Sequence, residues 1–245
     1  MRPKNARLKR ARIHRHRAHR PNEPVWLFDL DNTLHNTSHR IFTHISAGMT
    51  VAVKEALNVT DEQAQHLRQT YWKRYGATVI GMVKHHGVDP HVFLKRSHDF
   101  DVRSLVQAER GIHRKLAQLV GRKVLVTNAP LHYATAVLKH LRMYHLFDAI
   151  WAIEHLKLHG QYRPKPSVAI MRHIVACEGV AARRTVLIED TLENLKGARV
   201  AGMRTVHVYH PGTPFAKYAR GRSLYVDMRI KKVSDLLLSK RALKN

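Results

Sequence analysis

Four acidic side chains of the sequence stand at the ends of two apolar runs. Asp29 and Asp31 follow the run VWLF, and Glu189 and Asp190 follow the run TVLI. Residues two apart on a strand point to the same side, so Asp29 and Asp31 are expected to face one crevice. Four converging carboxylates would repel each other unless a cation lay between them. Hard oxygen ligands, with room for a substrate phosphate, predict that this cation is Mg²⁺.

Two other predicted strand ends carry groups that suit a phosphate. Thr127 and Asn128 follow the run RKVLV and offer a hydroxyl, an amide and backbone donors. Lys165, in RPKPSVAI, offers a point charge. An isolated Asp-x-Asp is more often a loop or cap than a catalytic motif. The conjunction of all these strand ends instead favours phosphoryl chemistry.

Short apolar runs alternate with helical patterns along most of the chain, which predicts an α/β fold with a parallel sheet. We expect the core to comprise residues 24–37 and 119–226, and residues 227–245 to form a last helix or a tail. Residues 38–118 lack strand signals and predict an all-helical insertion, which would leave the sheet at its ligand-binding edge and cover the site as a lid. The predicted strands after the first are 122–128, 147–153, 185–190, 204–209 and 223–226.

The chain is strongly basic, with 43 Lys and Arg against 18 Asp and Glu and a net charge of +25. Residues 1–20 contain nine of these basic residues and no acidic one. We expect residues 1–23 to form a solvated, disordered arm. Nonspecific nucleic-acid contact through residues 1–20 is the alternative, since such arms bind phosphate backbones, and a transit peptide is a third.

Composition narrows the class of protein further. The single cysteine, Cys177, excludes an intramolecular disulfide, and its sequence context predicts a packed helix end. No apolar run approaches the length of a bilayer span, so we expect no membrane association. Together these absences predict a cytoplasmic protein.

The candidate catalytic, phosphate-binding and metal-binding residues, taken in chain order, resemble the four motifs of the haloacid dehalogenase-like (HAD) hydrolases. The resemblance extends over nearly the whole chain from 25 to 210 and implies a Rossmann-like HAD core with an inserted helical cap of the C1 type. The segments that carry it are Asp29-Leu-Asp31-Asn-Thr33, Thr127-Asn128, Lys165-Pro166 and Glu189-Asp190.

This resemblance implies a role for each catalytic residue. Asp29 would attack phosphorus and form an aspartyl-phosphate, which divides one difficult hydrolysis into two easier steps. Asp31 would protonate the leaving oxygen and later deprotonate the attacking water. Thr127, Asn128 and Lys165 would neutralise the phosphoryl oxygens.

It also implies how the metal is held. Mg²⁺ would bind the Asp29 carboxylate, the Asp31 backbone carbonyl and Asp190. Glu189 is expected to orient metal-bound water and not to ligate directly. Asn194 would open or support the helix that follows.

Within the superfamily the chain resembles the pyrimidine 5′-nucleotidase branch. The resemblance rests on FDLDNTL, on the insertion segment YWKRYG and on TNA. It implies that cap residues contact the leaving group, because a base can stack on an aromatic ring or a guanidinium group. The candidates for this contact are Arg74, Tyr75, His85 and His86.

The predicted function is therefore Mg²⁺-dependent hydrolysis of a small phosphorylated metabolite. The substrate expected first is a pyrimidine nucleoside 5′-monophosphate. One alternative keeps the mechanism and changes the substrate to a sugar phosphate or phosphoglycolate. The other, suggested by the net charge of +25, is a nucleic-acid-binding protein whose phosphatase core is secondary.

Overall fold

The computed structural model describes residues 11–12, 23–38, 40–209 and 224–237. The strands in this part of the chain are β1 (Ala11–Arg12), β2 (Val25–Phe28), β3 (Arg122–Val126), β4 (Ala149–Trp151), β5 (Lys157–Leu158), β6 (Gln161–Tyr162), β7 (Thr185–Glu189), β8 (Arg204–Val208) and β9 (Met228–Ile230). The α-helices are α1 (Ile41–Leu57), α2 (Asp61–Tyr75), α3 (Thr78–His86), α4 (Pro90–Ser97), α5 (Ile112–Ala117), α6 (Leu131–His140), α7 (Val168–Glu178) and α8 (Leu192–Val200).

Six parallel strands form the main sheet in the order β4-β3-β2-β7-β8-β9. β1 adds to the edge of this sheet by pairing antiparallel with β4, and β5 with β6 forms a separate hairpin. The parallel sheet and the helical insertion between β2 and β3 confirm the predicted α/β fold with a C1-type cap. Phe28 at the end of β2 lies opposite Leu125 and Ile188, so the central strands end together.

The central strands are apolar because both faces of the sheet are covered. Trp26 and Phe28 of β2 belong to one buried cluster, which includes residues of α5 and α6. Val25 and Leu27 belong to another, with residues of α7 and α8. Alternation along the strand thus places successive side chains on opposite faces. Because both faces are buried, every residue of β2 is apolar.

The insertion between β2 and β3 has a hydrophobic cluster of its own, formed by residues of α1 to α4 together with Ile153 of the core. By contrast, Ile112 and Leu116 of α5 lie in a cluster of the sheet. We therefore propose that the cap ends near residue 98, and that the segment from there to 118 belongs to the core.

The carboxyl-terminal part of the sheet differs from the prediction. Within the described residues its last strand is Met228–Ile230, and residues 224–226 form no strand, so the predicted strand at 223–226 is wrong there. That prediction followed hydrophobicity alone, whereas Tyr225 and Val226 pack against the sheet from a turn. Residues 227–245 were expected to form a last helix or a tail. Within them, Val233–Leu237 form a short 3-10 helix.

The predictions for the basic arm fall on residues that, apart from β1 and residue 23, lie outside the described residues. Disorder and nucleic-acid contact of residues 1–20 therefore stay predictions. Among the described residues, no helix combines the length and the apolar character that crossing a membrane requires.

Candidate active site

Three carboxylates meet at the carboxyl edge of the sheet. Asp29 directly follows β2, and its backbone N–H donates to the Ile188 carbonyl at 3.0 Å, which ties it to the neighbouring strand β7. Glu189 ends β7 and Asp190 follows it. One carboxylate oxygen from each of Asp29, Glu189 and Asp190 lies within 4.8 Å of the others, and all three residues are buried. The two strand ends therefore converge as the sequence predicts.

Lys165 lies between two of these acids. Its Nζ is 2.6 Å from Asp29 Oδ1 and 2.6 Å from Glu189 Oε2, and the residue is buried. The side chain of Asn128 fixes the backbone of Lys165 by accepting from its N–H at 3.0 Å and donating to its carbonyl at 3.1 Å. The side-chain amide of Asn128 thus positions Lys165, and we assign its predicted phosphate contact to its backbone N–H.

Close packing of helix α8 supports the same segment. A Cβ atom at Gly197 would lie 2.3 Å from the carbonyl oxygen of Pro166, closer than real contacts allow. Only glycine lets the helix approach the chain beside Lys165 so closely.

Glu189 uses both carboxylate oxygens within the protein. Oε2 accepts from Lys165 and, at 3.0 Å, from Nδ2 of Asn194, while Oε1 accepts from the backbone N–H groups of Asp190 and Thr191. That Glu189 organises the site instead of ligating a metal directly stays a prediction. Asn194 thus supports the site through its side chain.

Burial in this cluster shifts the pKa of two of the acids, Asp29 and Asp190. The pKa of Asp29 is raised from 3.8 to about 7, by burial first and by the charge of Glu189 second, and Lys165 only partly opposes this. Burial and the same neighbouring charges raise the pKa of Asp190 well above its usual value. The site therefore has more negative charge than Lys165 can balance, and its hard oxygen donors fit a divalent cation such as Mg²⁺.

This charge excess predicts that stability depends on pH and on metal. The folded pKa of Asp29, about 7, exceeds its ordinary value of 3.8, so the folded chain holds an extra proton between these pH values. The contribution of Asp29 to the free energy of unfolding of the metal-free protein should therefore fall as pH rises from about 4 to about 7. Bound Mg²⁺ should reverse that loss, and we expect it to raise Tm more at about pH 8 than at about pH 5.5.

Thermal unfolding of wild type and Asp29→Asn, each with chelator and with Mg²⁺, measures this effect. The variant should lose most of the pH-dependent gain in Tm because it has no proton to release at this position. An equal gain from Mg²⁺ at both pH values, or an unchanged gain in Asp29→Asn, would contradict the prediction.

Asp31 has a different environment from the other acids. Its Oδ1 accepts from the hydroxyls of Tyr133 and Thr37, each at 2.8 Å, and lies 3.2 Å from His35 Nε2. Burial alone would raise the pKa of Asp31, but the contacts with His35, Tyr133 and Thr37 outweigh burial and lower it. In this arrangement Asp31 is a carboxylate at neutral pH, the form that a proton acceptor needs.

Thr127 is the other predicted phosphate-binding residue. It follows β3, is buried, and its Oγ1 accepts from the backbone N–H of Ala129 at 3.0 Å. Its backbone N–H donates to the Trp151 carbonyl at 2.9 Å, which aligns the end of β3 with that of β4. Phosphate binding by Thr127 and Lys165 stays a prediction.

The four cap candidates lie together near the ends of α2 and α3. Arg74 stacks over the ring of Tyr75, whose hydroxyl lies 2.6 Å from His85 Nε2. His86 pairs in the same way, at 2.6 Å, with Tyr71, which begins the YWKRYG segment but was not among the four candidates. The cap approaches the site at Gly76, where an added Cβ would be 3.7 Å from the Lys165 carbonyl oxygen. Contact of the four candidates with a leaving group stays a prediction.

The residues around Asp31 are those that reasoning from sequence missed. His35 and Thr37 follow it within six positions, so a polar turn after the motif was a usable signal. Tyr133 is 102 positions away and lies on the apolar face of α6, where an aromatic side chain indicates core packing. Its hydroxyl alone connects it with the site.

Comparison with known proteins gives a consistent result. The family model described as haloacid dehalogenase-like hydrolase matches residues 26–208. Fructose-1-phosphate phosphatase YqaB of Escherichia coli is 28% identical over 192 residues, which cover 74% of this chain and 94% of that protein. Phosphate metabolism protein 8 of Saccharomyces cerevisiae is 24% identical over 203 residues, 78% of this chain but only 62% of the yeast protein.

A solved structure shows the same fold. The HAD phosphatase from Thermococcus onnurineus superposes with a TM-score of 0.61 at 18% sequence identity, covering 90% of this chain and 98% of that chain.

Proposed function

Because this chain belongs to the haloacid dehalogenase-like hydrolases, we propose that it is a Mg²⁺-dependent phosphatase of small phosphomonoesters, with Asp29 as nucleophile. The observation that carries the proposal is the buried contact of Asp29 with Lys165, beside the two carboxylates that follow from β7. Phosphorus must lie beside Asp29 when it is attacked. Lys165, 2.6 Å from Asp29, can therefore neutralise an oxygen of the phosphoryl group.

In the first step, an oxygen of Asp29 attacks phosphorus and the bond from phosphorus to the leaving oxygen breaks. The negative charge of the bound phosphomonoester favours the protonated form of Asp31, which gives its proton to that oxygen as it leaves. Lys165 and the backbone N–H of Asn128 hold the phosphoryl oxygens. Bound Mg²⁺ would supply further positive charge to these oxygens, and Asp29 and Asp190 would hold it.

In the second step, Asp31 takes a proton from a water molecule whose oxygen attacks the phosphorus of the aspartyl-phosphate. The bond between phosphorus and Asp29 breaks, which releases phosphate and restores the carboxylate. The hydrogen bonds that keep Asp31 ionised suit this half of the reaction.

We favour a sugar phosphate as the substrate class. Support comes from the fructose-1-phosphate phosphatase, to which this chain is similar over 94% of that enzyme's length. Neither of these two relatives is named as a nucleotidase. The narrower expectation of a pyrimidine nucleotide therefore stays a prediction. The yeast relative is longer than the matched region, and its name specifies phosphate metabolism without a substrate.

A substrate panel tests this proposal. Phosphate release should be metal-dependent and fastest with a sugar phosphate such as fructose 1-phosphate, slower with phosphoglycolate, UMP and CMP, and abolished by excess chelator. If the panel is turned over equally with chelator and with Mg²⁺, the mechanism is wrong. If UMP and CMP are preferred by about tenfold or more, the substrate class is wrong and the nucleotide prediction gains support.

A further inference from the structure

The two oxygens of Asp31 have unequal surroundings. Oδ1 receives the hydroxyl hydrogens of Tyr133 and Thr37 and contacts His35. Among the described residues, no side chain or backbone group donates a hydrogen bond to Oδ2. The Asp31 side chain is 24% exposed, and we assign this exposed part to Oδ2, because Oδ1 makes the contacts named above.

Tyr133 is held firmly where it meets Asp31. The residue is 1% exposed, and its ring packs against His98 and Phe100 at centroid distances of 5.4 and 6.0 Å. The first turn of its helix is anchored because the Leu131 N–H donates to both oxygens of Glu154 at 3.1 Å. A hydroxyl on a ring fixed in this way can set the position of the acid that it contacts.

We propose that Tyr133 is a positioning residue for proton transfer, which holds Asp31 through Oδ1 and presents Oδ2 to the reacting phosphoester. This inference rests on the proposed function, in which Asp31 is the acid and base. Tyr133 keeps its own proton throughout. The proton on Asp31 Oδ2 passes to the leaving oxygen as the phosphorus–oxygen bond breaks, and Oδ2 regains a proton from the attacking water in the second step.

The dependence of the rate on the leaving group separates this role from simple packing. An alkoxide leaving group needs a proton, whereas 4-nitrophenolate leaves readily without one. Tyr133→Phe removes only the hydroxyl and keeps the ring between His98 and Phe100. The second step is the same for every substrate, so the comparison uses kcat/KM, which reports the step in which the leaving group departs. We expect kcat/KM for fructose 1-phosphate, or for the alkyl phosphate hydrolysed fastest, to fall at least about tenfold. For 4-nitrophenyl phosphate, kcat/KM should fall less than about threefold.

Tyr144→Phe is the matched control, since Tyr144 contacts Lys139 and has no contact with Asp31. Its kinetics should equal those of wild type with both substrates. Equal losses for both substrates in Tyr133→Phe, or no loss for either, would overturn the inference while the wild type still turns over substrate. No metal-dependent turnover by the wild type would instead overturn the proposed function, and this inference with it.

A second pair of variants keeps the inference testable if Tyr133→Phe does not fold. Thr37→Val removes the other hydroxyl that donates to Oδ1 at 2.8 Å, whereas Thr37→Ser retains it. Thr37→Val should show the same selective loss with the alkyl phosphate, and Thr37→Ser should restore most of it. A loss shared by both Thr37 variants, or independent of the leaving group, would overturn the positioning of Asp31 through Oδ1.

Discussion

Asp29→Asn is expected to lower kcat by at least about 10³-fold with every phosphomonoester that the wild type hydrolyses. An amide has nearly the shape of the carboxylate but is a poor nucleophile, so the covalent intermediate cannot form. The loss should be the same for alkyl and aryl phosphates, because it removes the attack itself and not the protonation of the leaving group. Steady-state phosphate release at saturating Mg²⁺ measures it.

Folding does not explain this loss. Asp29 is buried with a raised pKa, so its replacement by a neutral group should leave Tm of the metal-free protein unchanged or higher at neutral pH. Asp148→Asn is a suitable control, because Asp148 is a partly buried aspartate outside the site that accepts a hydrogen bond from the Lys123 N–H at 3.0 Å. Activity retained in Asp29→Asn, or lost equally in Asp148→Asn, would show that Asp29 is not the nucleophile.

The part of the site that was predictable from sequence lies at strand ends. A parallel sheet brings the carboxyl ends of its strands to one edge. A polar or charged residue directly after an apolar run is therefore expected at this edge, where the site lies. Asp29 and Glu189 meet in this way, because β2 and β7 pair in register with Phe28 opposite Ile188. No knowledge of side-chain packing was needed for that step.

The remainder of the site depends on side-chain packing, which a single sequence does not encode in its local pattern. Tyr133 has the spacing of a core residue, and only the packing of α6 brings its hydroxyl to Asp31. Asn128 is at a predicted position, and its side-chain amide also binds the Lys165 backbone, a contact that the local sequence does not indicate. Residue type thus predicted the location, and tertiary contacts decided the role.

The error in the predicted strands has the same cause. The apolar run at 223–226 suits a strand, but the pairing with β8 is made by Met228–Ile230, a less hydrophobic segment. Pairing is decided by register with the neighbouring strand, and hydrophobicity reports only burial. Helix α5 is predicted as part of the cap because it is a helix, and the packing of its side chains on the core supports our proposal that the cap ends before it.

Lys165→Met is expected to lower kcat by about 10²–10³-fold. The variant keeps much of the side-chain volume but removes the charge that lies 2.6 Å from both Asp29 and Glu189. Without this charge a phosphoryl oxygen loses its partner. The pKa of Asp29 should also rise further, since the charge of Lys165 opposes the effects of burial and of Glu189, so the nucleophile is protonated more often in the absence of metal.

Stability should fall as well, because buried carboxylates remain without their partner. The control must therefore be another buried lysine. Lys123 is buried outside the site, where its Nζ donates to the Leu119 carbonyl at 2.6 Å. Lys123→Met should lower Tm but leave kcat at saturating Mg²⁺ within about threefold of wild type, whereas Lys165→Met should lower both. If the two variants lose activity in proportion to their loss of Tm, Lys165 contributes through folding alone; a loss of kcat confined to Lys165→Met places its charge in the reaction.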